Sequence, residues 1–142
     1  MTTQTESHMT IGRRLLLHAD DQFTVGDFIQ TSEKAWGAVA QFLKAHAESR
    51  GLPHSSHYDL RQVVTHLVRE TGIDRIRELF AICESLHANY YEVWMSEDEL
   101  EGSIANVKEL IALLEEIPMP DTAIRESNGR QRQFFVTRDG SI

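Results

Sequence analysis

The segment IDRIRELFAICESLHANYYEVW, residues 73–94, decides the fold. Within it Ile73, Ile76, Phe80, Cys83, His87, Tyr90 and Trp94 recur at alternating three- and four-residue steps, which stacks them on one face of a helix. The stripe predicts a core-facing helix ending near Met95, with Tyr90 and Trp94 in the core and one polar ring, His87, where an apolar group would be expected. Leu86-His87-Ala88-Asn89-Tyr90-Tyr91-Glu92 around that ring is dense in groups that donate, accept or ionise, so chemistry is sought there first. Cys83, the only cysteine, lies on the same stripe and reads as a small buried hydrophobe of a reducing compartment, with no disulfide available inside the chain.

Working outward, Thr71-Gly72 closes a preceding helix that carries Leu60, Val63, Val64, Leu67 and Val68 inward and starts at Ser55 or Ser56, either of which can cap it. Before it, a long segment from Asp27 to Ser49 turns Ile29, Trp36, Ala40, Leu43 and Ala47 inward and is stopped by Arg50-Gly51-Leu52-Pro53. Ala35, Gly37, Ala38 and Ala40 beside Trp36 are small, a pattern that lets another helix cross closely. The first segment runs from about Thr10 to Gln22, with Ile11, Leu15, Leu16 and His18 toward one side and Arg13 and Arg14 in solvent. On the other flank Ser96-Glu97-Asp98-Glu99 is a capping box, with carboxylates at the positive end of the helix dipole. It opens a fifth helix through Leu100, Ile104, Val107, Leu110, Ile111, Leu114 and Ile117, ended by Pro118-Met119-Pro120.

No segment in residues 10–117 alternates with a period of two, so the expected fold is an all-α antiparallel bundle of about five helices. The expected organisation is a disordered start over 1–9, the bundle over 10–117, and a mobile or partner-docking tail over 118–142 with one apolar island, Phe134-Phe135-Val136. A chain of 142 residues is the size of one ordinary domain. It has no apolar run of membrane-spanning length and no signal-peptide segment at its start, which predicts a soluble, cytoplasmic protein.

Charge narrows the partners. Against 22 acidic residues there are 14 basic ones, a formal net charge of −8, which repels a phosphate backbone at long range and disfavours non-specific nucleic-acid binding. From Glu84 to Glu116 there are nine acidic residues and one lysine, so the last two helices present an acidic face.

Ser32-Glu33-Lys34-Ala35-Trp36-Gly37-Ala38, Ser56-His57, and Leu86-His87-Ala88-Asn89-Tyr90-Tyr91-Glu92, taken in order, resemble recurring segments of the PaREP family of helical proteins, grouped with the HEPN (higher eukaryotes and prokaryotes nucleotide-binding) superfamily. The resemblance covers about residues 10–117 and implies a HEPN-like bundle that pairs with a second copy. Many HEPN proteins are metal-independent ribonuclease toxins or partners of small nucleotidyltransferases. In the nuclease members an arginine is followed four to six residues later by a histidine, the one to stabilise phosphate charge and the other to move a proton. Arg61 and His66 have that spacing, although they lie in the third helix rather than beside His87, where Arg77 is too far away in sequence.

The resembling segments also suggest a polar network or ligand site drawn from Lys34, His57, His87, Asn89, Tyr91 and Glu92, with Glu92 reaching Lys34 as an ion pair and His87 satisfied by a neighbour. His54 and His57 lack the further ligands a zinc site needs, and no glycine loop cradles phosphate, so neither a metal nor a cofactor is expected. The expected function is a non-catalytic binding or assembly module for a nucleotide or a partner protein, a homodimer that a nucleotidyltransferase or antitoxin could join. Two rivals stand beside it: a metal-independent endoribonuclease of a toxin–antitoxin system using Arg61 and His66, and a helical-hairpin scaffold built on the small-residue crossing.

Overall fold

The computed structural model describes residues 3–92 and 94–120, with the side chains of Tyr90, Tyr91 and Glu92 outside the description. These residues form five helices and no strand: α1 (Thr3–Thr24), α2 (Phe28–Arg50), α3 (His57–Thr71), α4 (Arg75–Glu92) and α5 (Glu97–Glu116). Caps set the boundaries much as the sequence predicts. Asp27 accepts from the Gln30 amide to open α2, Ser56 and Asp59 form a capping box for α3, and Ser96 and Glu99 form the one expected for α5. Gly51 and Gly72 end α2 and α3 at φ of 68° and 74°, a left-handed conformation that costs glycine little.

Helix α2 is the axis of the molecule, in contact with each of the other four. Arg50 at its end meets Glu70 near the end of α3 while Trp36 in its middle meets His57 at the start of α3, so α2 and α3 run in the same direction. Residues 51–56 therefore form a strap that climbs back alongside α2. Fourteen helical steps rise about 21 Å, and seven extended steps reach up to about 24 Å, so the strap is nearly taut, as the extended preference before Pro53 favours. The pair Asn89–Ser32 together with Phe80–Trp36 sets α4 antiparallel to α2. His46–Leu114 and Arg50–Pro118 set α5 parallel to it.

Helix α1 begins at Thr3, not near Thr10, and residues expected to be disordered supply Thr5 and Met9 to the buried face. That face is Thr5, Met9, Gly12 and Ala19, whereas Ile11 and His18 are exposed. Small residues win because α1 and α2 approach too closely for large ones. A Cβ on Gly12 would lie 2.8 Å from the Phe42 ring, and Gly37 faces Leu15 at similarly short range. The small-residue stretch of α2 is thus the internal bed of α1, which leaves no such crossing free for the scaffold reading. Gly12→Ala is expected to destabilise in spite of alanine's better helix propensity, because overpacking costs about 1–3 kcal/mol and the Phe42 ring it would press on is fully buried. Gly102→Ala, with open space around it, is expected to stabilise by about 1 kcal/mol; urea midpoints of the two variants moving in the same direction would refute this packing.

Besides Ile11, three apolar positions depart from expectation. Ile29 is exposed because Phe28 takes the inward place, 5.4 Å from Phe23 across the α1–α2 turn. Ile73 and Trp94 lie beyond the two ends of α4, where the stripe no longer faces α2, and Trp94 is 48% exposed rather than core. The middle of the stripe behaves as read, since Ile76, Phe80 and Cys83 are buried, and burial pushes the Cys83 thiol up to about 12.

Candidate functional site

The strap delivers the start of α3 onto the middle of α2, where α4 also crosses, and the three helices meet around Trp36. The His57 ring stacks on the indole with centroids 5.2 Å apart and planes 17° from parallel. His87 and Phe80 of α4 approach the same indole at 5.3 and 5.8 Å, and the two imidazoles are 5.9 Å apart. Trp36 is buried beneath this cover, so a flat ligand could stack on it only by displacing His57.

Glu84, one turn before His87 on α4, ties the cluster to α3. Its Oε2 accepts from His57 Nε2 at 2.5 Å and from Arg61 Nε at 2.7 Å. His57 and Arg61 stand four apart on α3 and so present both donors on one face. Partial burial opposes ionisation of Glu84, but the two hydrogen bonds and charges together hold its carboxyl below the usual carboxylate range. Chemically this is a carboxylate–imidazole pair: with Nε2 donating to Glu84, the neutral ring keeps a lone pair on Nδ1, the arrangement of an oriented base. Arg61 remains 60% exposed, which limits the worth of its ion pair to below about 1 kcal/mol.

Of the residues expected at a site, the fold brings His57 and His87 together and adds Arg61 through Glu84. It gives Asn89 another task. Its Nδ2 donates to Ser32 Oγ at 2.7 Å, and its Oδ1 accepts from the amides of both Trp94 and Met95 at 2.8 Å, which satisfies a buried amide while latching the α4–α5 connection to α2. Asn89→Ala is expected to cost about 1–3 kcal/mol through the stranded donors and to speed hydrogen exchange of the Trp94 and Met95 amides; unchanged exchange there would remove the latch. Lys34 is half-buried on α2 and forms no ion pair with a described side chain. The side chains of Tyr91 and Glu92, and with them the expected Glu92–Lys34 pair, lie outside the described residues, as does the island Phe134–Val136.

Arg61 and His66 do not form a unit. His66 faces Glu70 at 3.4 Å and lines a half-open groove of about 320 Å³ between the strap and α3, whereas Arg61 points to α4. Among the described residues no three His, Cys, Asp or Glu side chains are grouped to hold a metal.

The most elaborate polar constellation was not singled out from the sequence. Arg50, 3% exposed, grips the Glu70 carboxylate with Nε at 3.0 Å and Nη2 at 2.7 Å, donates from Nη2 to the Pro118 carbonyl, and gives Nη1 to Ser49 Oγ and to His46. His46 Nε2 donates to the Leu114 carbonyl at 2.7 Å, so Nδ1 is the acceptor that meets Arg50. Burial drives the His46 pKa down to about 4, helped by the Arg50 charge and opposed by the Leu114 bond and Glu70. The hydrogen bond from Arg50 dominates in holding Glu70 below the usual carboxylate range. The cluster knots the ends of α2, α3 and α5. Its one trace in the sequence is the spacing of His46 and Arg50, which puts both on the face of Leu43 and Ala47 although Arg50 reads as a solvated last-turn cation.

Among curated proteins and among solved structures none matches the chain. Residues 8–111, which span all of α2, α3 and α4 and every side chain of the Trp36 cluster, match the model of the archaeal PaREP1/PaREP8 family, and the chain belongs to that family.

Proposed function

We propose that the chain is a non-catalytic, HEPN-like helical binding and assembly module that acts as a cytoplasmic homodimer. One observation carries it: the two residues with nuclease spacing are held by separate carboxylates, Arg61 by Glu84 and His66 by Glu70, on either side of the buried Val63 and Val64. Five residues apart on a helix, they are about 140° out of phase. Each carries a negative neighbour where a nuclease would receive a phosphate, and the net charge of −8 slows the approach of RNA. Closed two-fold pairs are the commonest oligomers, which favours a second copy as first partner. A nucleotidyltransferase or antitoxin would join that dimer, and a nucleotide would meet Arg61, the exposed cation of the cluster. Light scattering at tens of micromolar is expected to give the dimer mass, and a monomer overturns the assembly. Purified protein with chelator is expected to leave total RNA intact, with His66→Ala no different; chelator-resistant cleavage lost in both Arg61→Ala and His66→Ala overturns the non-catalytic reading.

A second reading is favoured by the 5.9 Å approach of the His57 and His87 rings beside Arg61. In it His57 takes the ribose 2′-hydroxyl proton as that oxygen attacks phosphorus, and His87 protonates the departing 5′-oxygen, leaving a 2′,3′-cyclic phosphate. Arg61 must first exchange Glu84 for the phosphate. Cleavage lost in His57→Ala and His87→Ala but retained in His66→Ala would select this ribonuclease.

A further inference from the structure

The groove between the strap and α3 has an apolar side in Leu52, Pro53, Tyr58 and Val63, with His66 and Arg69 toward the C-terminal end of α3. Tyr58 is 67% exposed, a large aromatic left uncovered on α3. We propose that the groove is the docking site for this chain's own C-terminal segment Phe134-Phe135-Val136, bound in cis. This shares His66, Glu70 and Val63 with the proposed function but uses none of its conclusions, and stands or falls independently of it.

Three observations select that occupant. The first is where the described chain leaves the bundle. The Pro118 carbonyl is 2.9 Å from Arg50 Nη2, Arg50 grips Glu70, and Glu70 is 3.4 Å from His66, which lines the groove. Three contacts of hydrogen-bond length thus put the exit roughly 10 Å from the groove's near end.

The second is length. Thirteen residues, 121–133, separate the exit from the island, and even the coil dimension for a chain of that length, about 20 Å, is enough to reach the middle of α3. The third is chemistry. Phe134-Phe135-Val136 is the one apolar run in residues 121–142, matched to the apolar side of the groove. Four arginines against one glutamate over residues 125–138 are attracted to a body with 19 acidic and 10 basic residues over 1–120. Arg69, which forms no ion pair among the described residues, has its complement in Asp139 just past the island.

The test is oxidative cross-linking in the full chain. Gln62, in the groove, and Ala112, on the outer face of α5, are both exposed, so cysteines there leave the core intact. Buried Cys83, its thiol pushed up to about 12, stays silent. Ala112 is nearer the exit along α5 than Gln62 is along α3, so an undocked tail would find it at least as fast. Gln62→Cys with Phe135→Cys is expected to form an intramolecular disulfide at least tenfold faster than Ala112→Cys with Phe135→Cys. Adding Tyr58→Asp is expected to erase that advantage. Equal rates for the two pairs, or cross-links found only between chains, would overturn docking in cis.

Discussion

Arg50→Met is expected to lower the free energy of unfolding by about 2–4 kcal/mol, the largest loss of any single polar substitution in the protein. Methionine fills much of the same volume, so the loss measures the guanidinium and not a cavity. Without it His46 Nδ1 and the Pro118 carbonyl lose the guanidinium donor, and the His46 carbonyl is left with Ser49 Oγ, in a site that arginine occupies at 3% exposure. The figure is set somewhat lower than for breaking a fully buried pair, because Glu70 is 40% exposed and water can solvate its charge. Glu70→Gln should accordingly cost less than Arg50→Met. Arg50→Lys should recover little of the loss, since one ammonium cannot grip the carboxylate with two donors and reach Pro118 as well. Urea unfolding with unchanged slope checks the set. A shift for Arg50→Met within 0.5 kcal/mol of zero, the size of ordinary surface substitutions, would show that the knot adds nothing net.

Acidification is expected to weaken the fold from near neutrality downward, before carboxylates titrate. His46 is neutral when folded, with its pKa lowered from 6.5 to about 4. Below 6.5 the unfolded chain takes up a proton that the folded chain refuses, so the contribution of neutral His46 is complete above 6.5 and is lost as pH falls toward 4. The full drop over that window is on the order of 3 kcal/mol, from the free-energy equivalent of a pKa shift. Glu70 and Glu84, held below the usual carboxylate range, retain their contribution down to their ordinary value of 4.5 and lose it as pH falls further, so the His46 loss comes first. His46→Gln keeps an amide donor for Leu114 and cannot ionise, so it should flatten the curve between pH 6.5 and 4 while leaving the acid limb. A wild-type curve already flat in that range would show that His46 charges freely in the folded state.

Much of this was legible because burial of large apolar groups writes itself in periodicity. The centre of the α4 stripe, the capping box at Ser96, a serine cap for α3 and the stops at Gly51 and Gly72 followed from side-chain size and local hydrogen bonding. Where small residues make the interface the rule fails: α1 looked amphipathic through Ile11 and His18, yet it packs through Gly12 and Ala19. Direction was hidden as well, since no pattern in residues 51–56 announces a strap that climbs back to run α3 parallel to α2. The candidate site divided along the same line. The family resemblance flagged His57, and the α4 stripe His87, but neither said anything of Glu84, whose role depends on a neighbour from another helix. Motif spacing paired Arg61 with His66, which helix phase then separates.

The lone neighbour of α1 has a consequence for how the protein opens. Among the described residues α2 is the one helix that α1 packs against; beyond it α1 has the edge-on ring contact of His8 with His54 of the strap and two exposed ion pairs to α5, Arg13–Glu115 and Asp20–Lys108. Helix α2, by contrast, cannot move without disturbing every other helix. Excursions from the native state should therefore come in two tiers: a partial one in which α1 lifts away, favoured by salt that screens its ion pairs, and a global one in which α2 surrenders its amides last. Of the five helices the first to be synthesised would then be the last to become secure, waiting for a helix whose other partners lie far downstream.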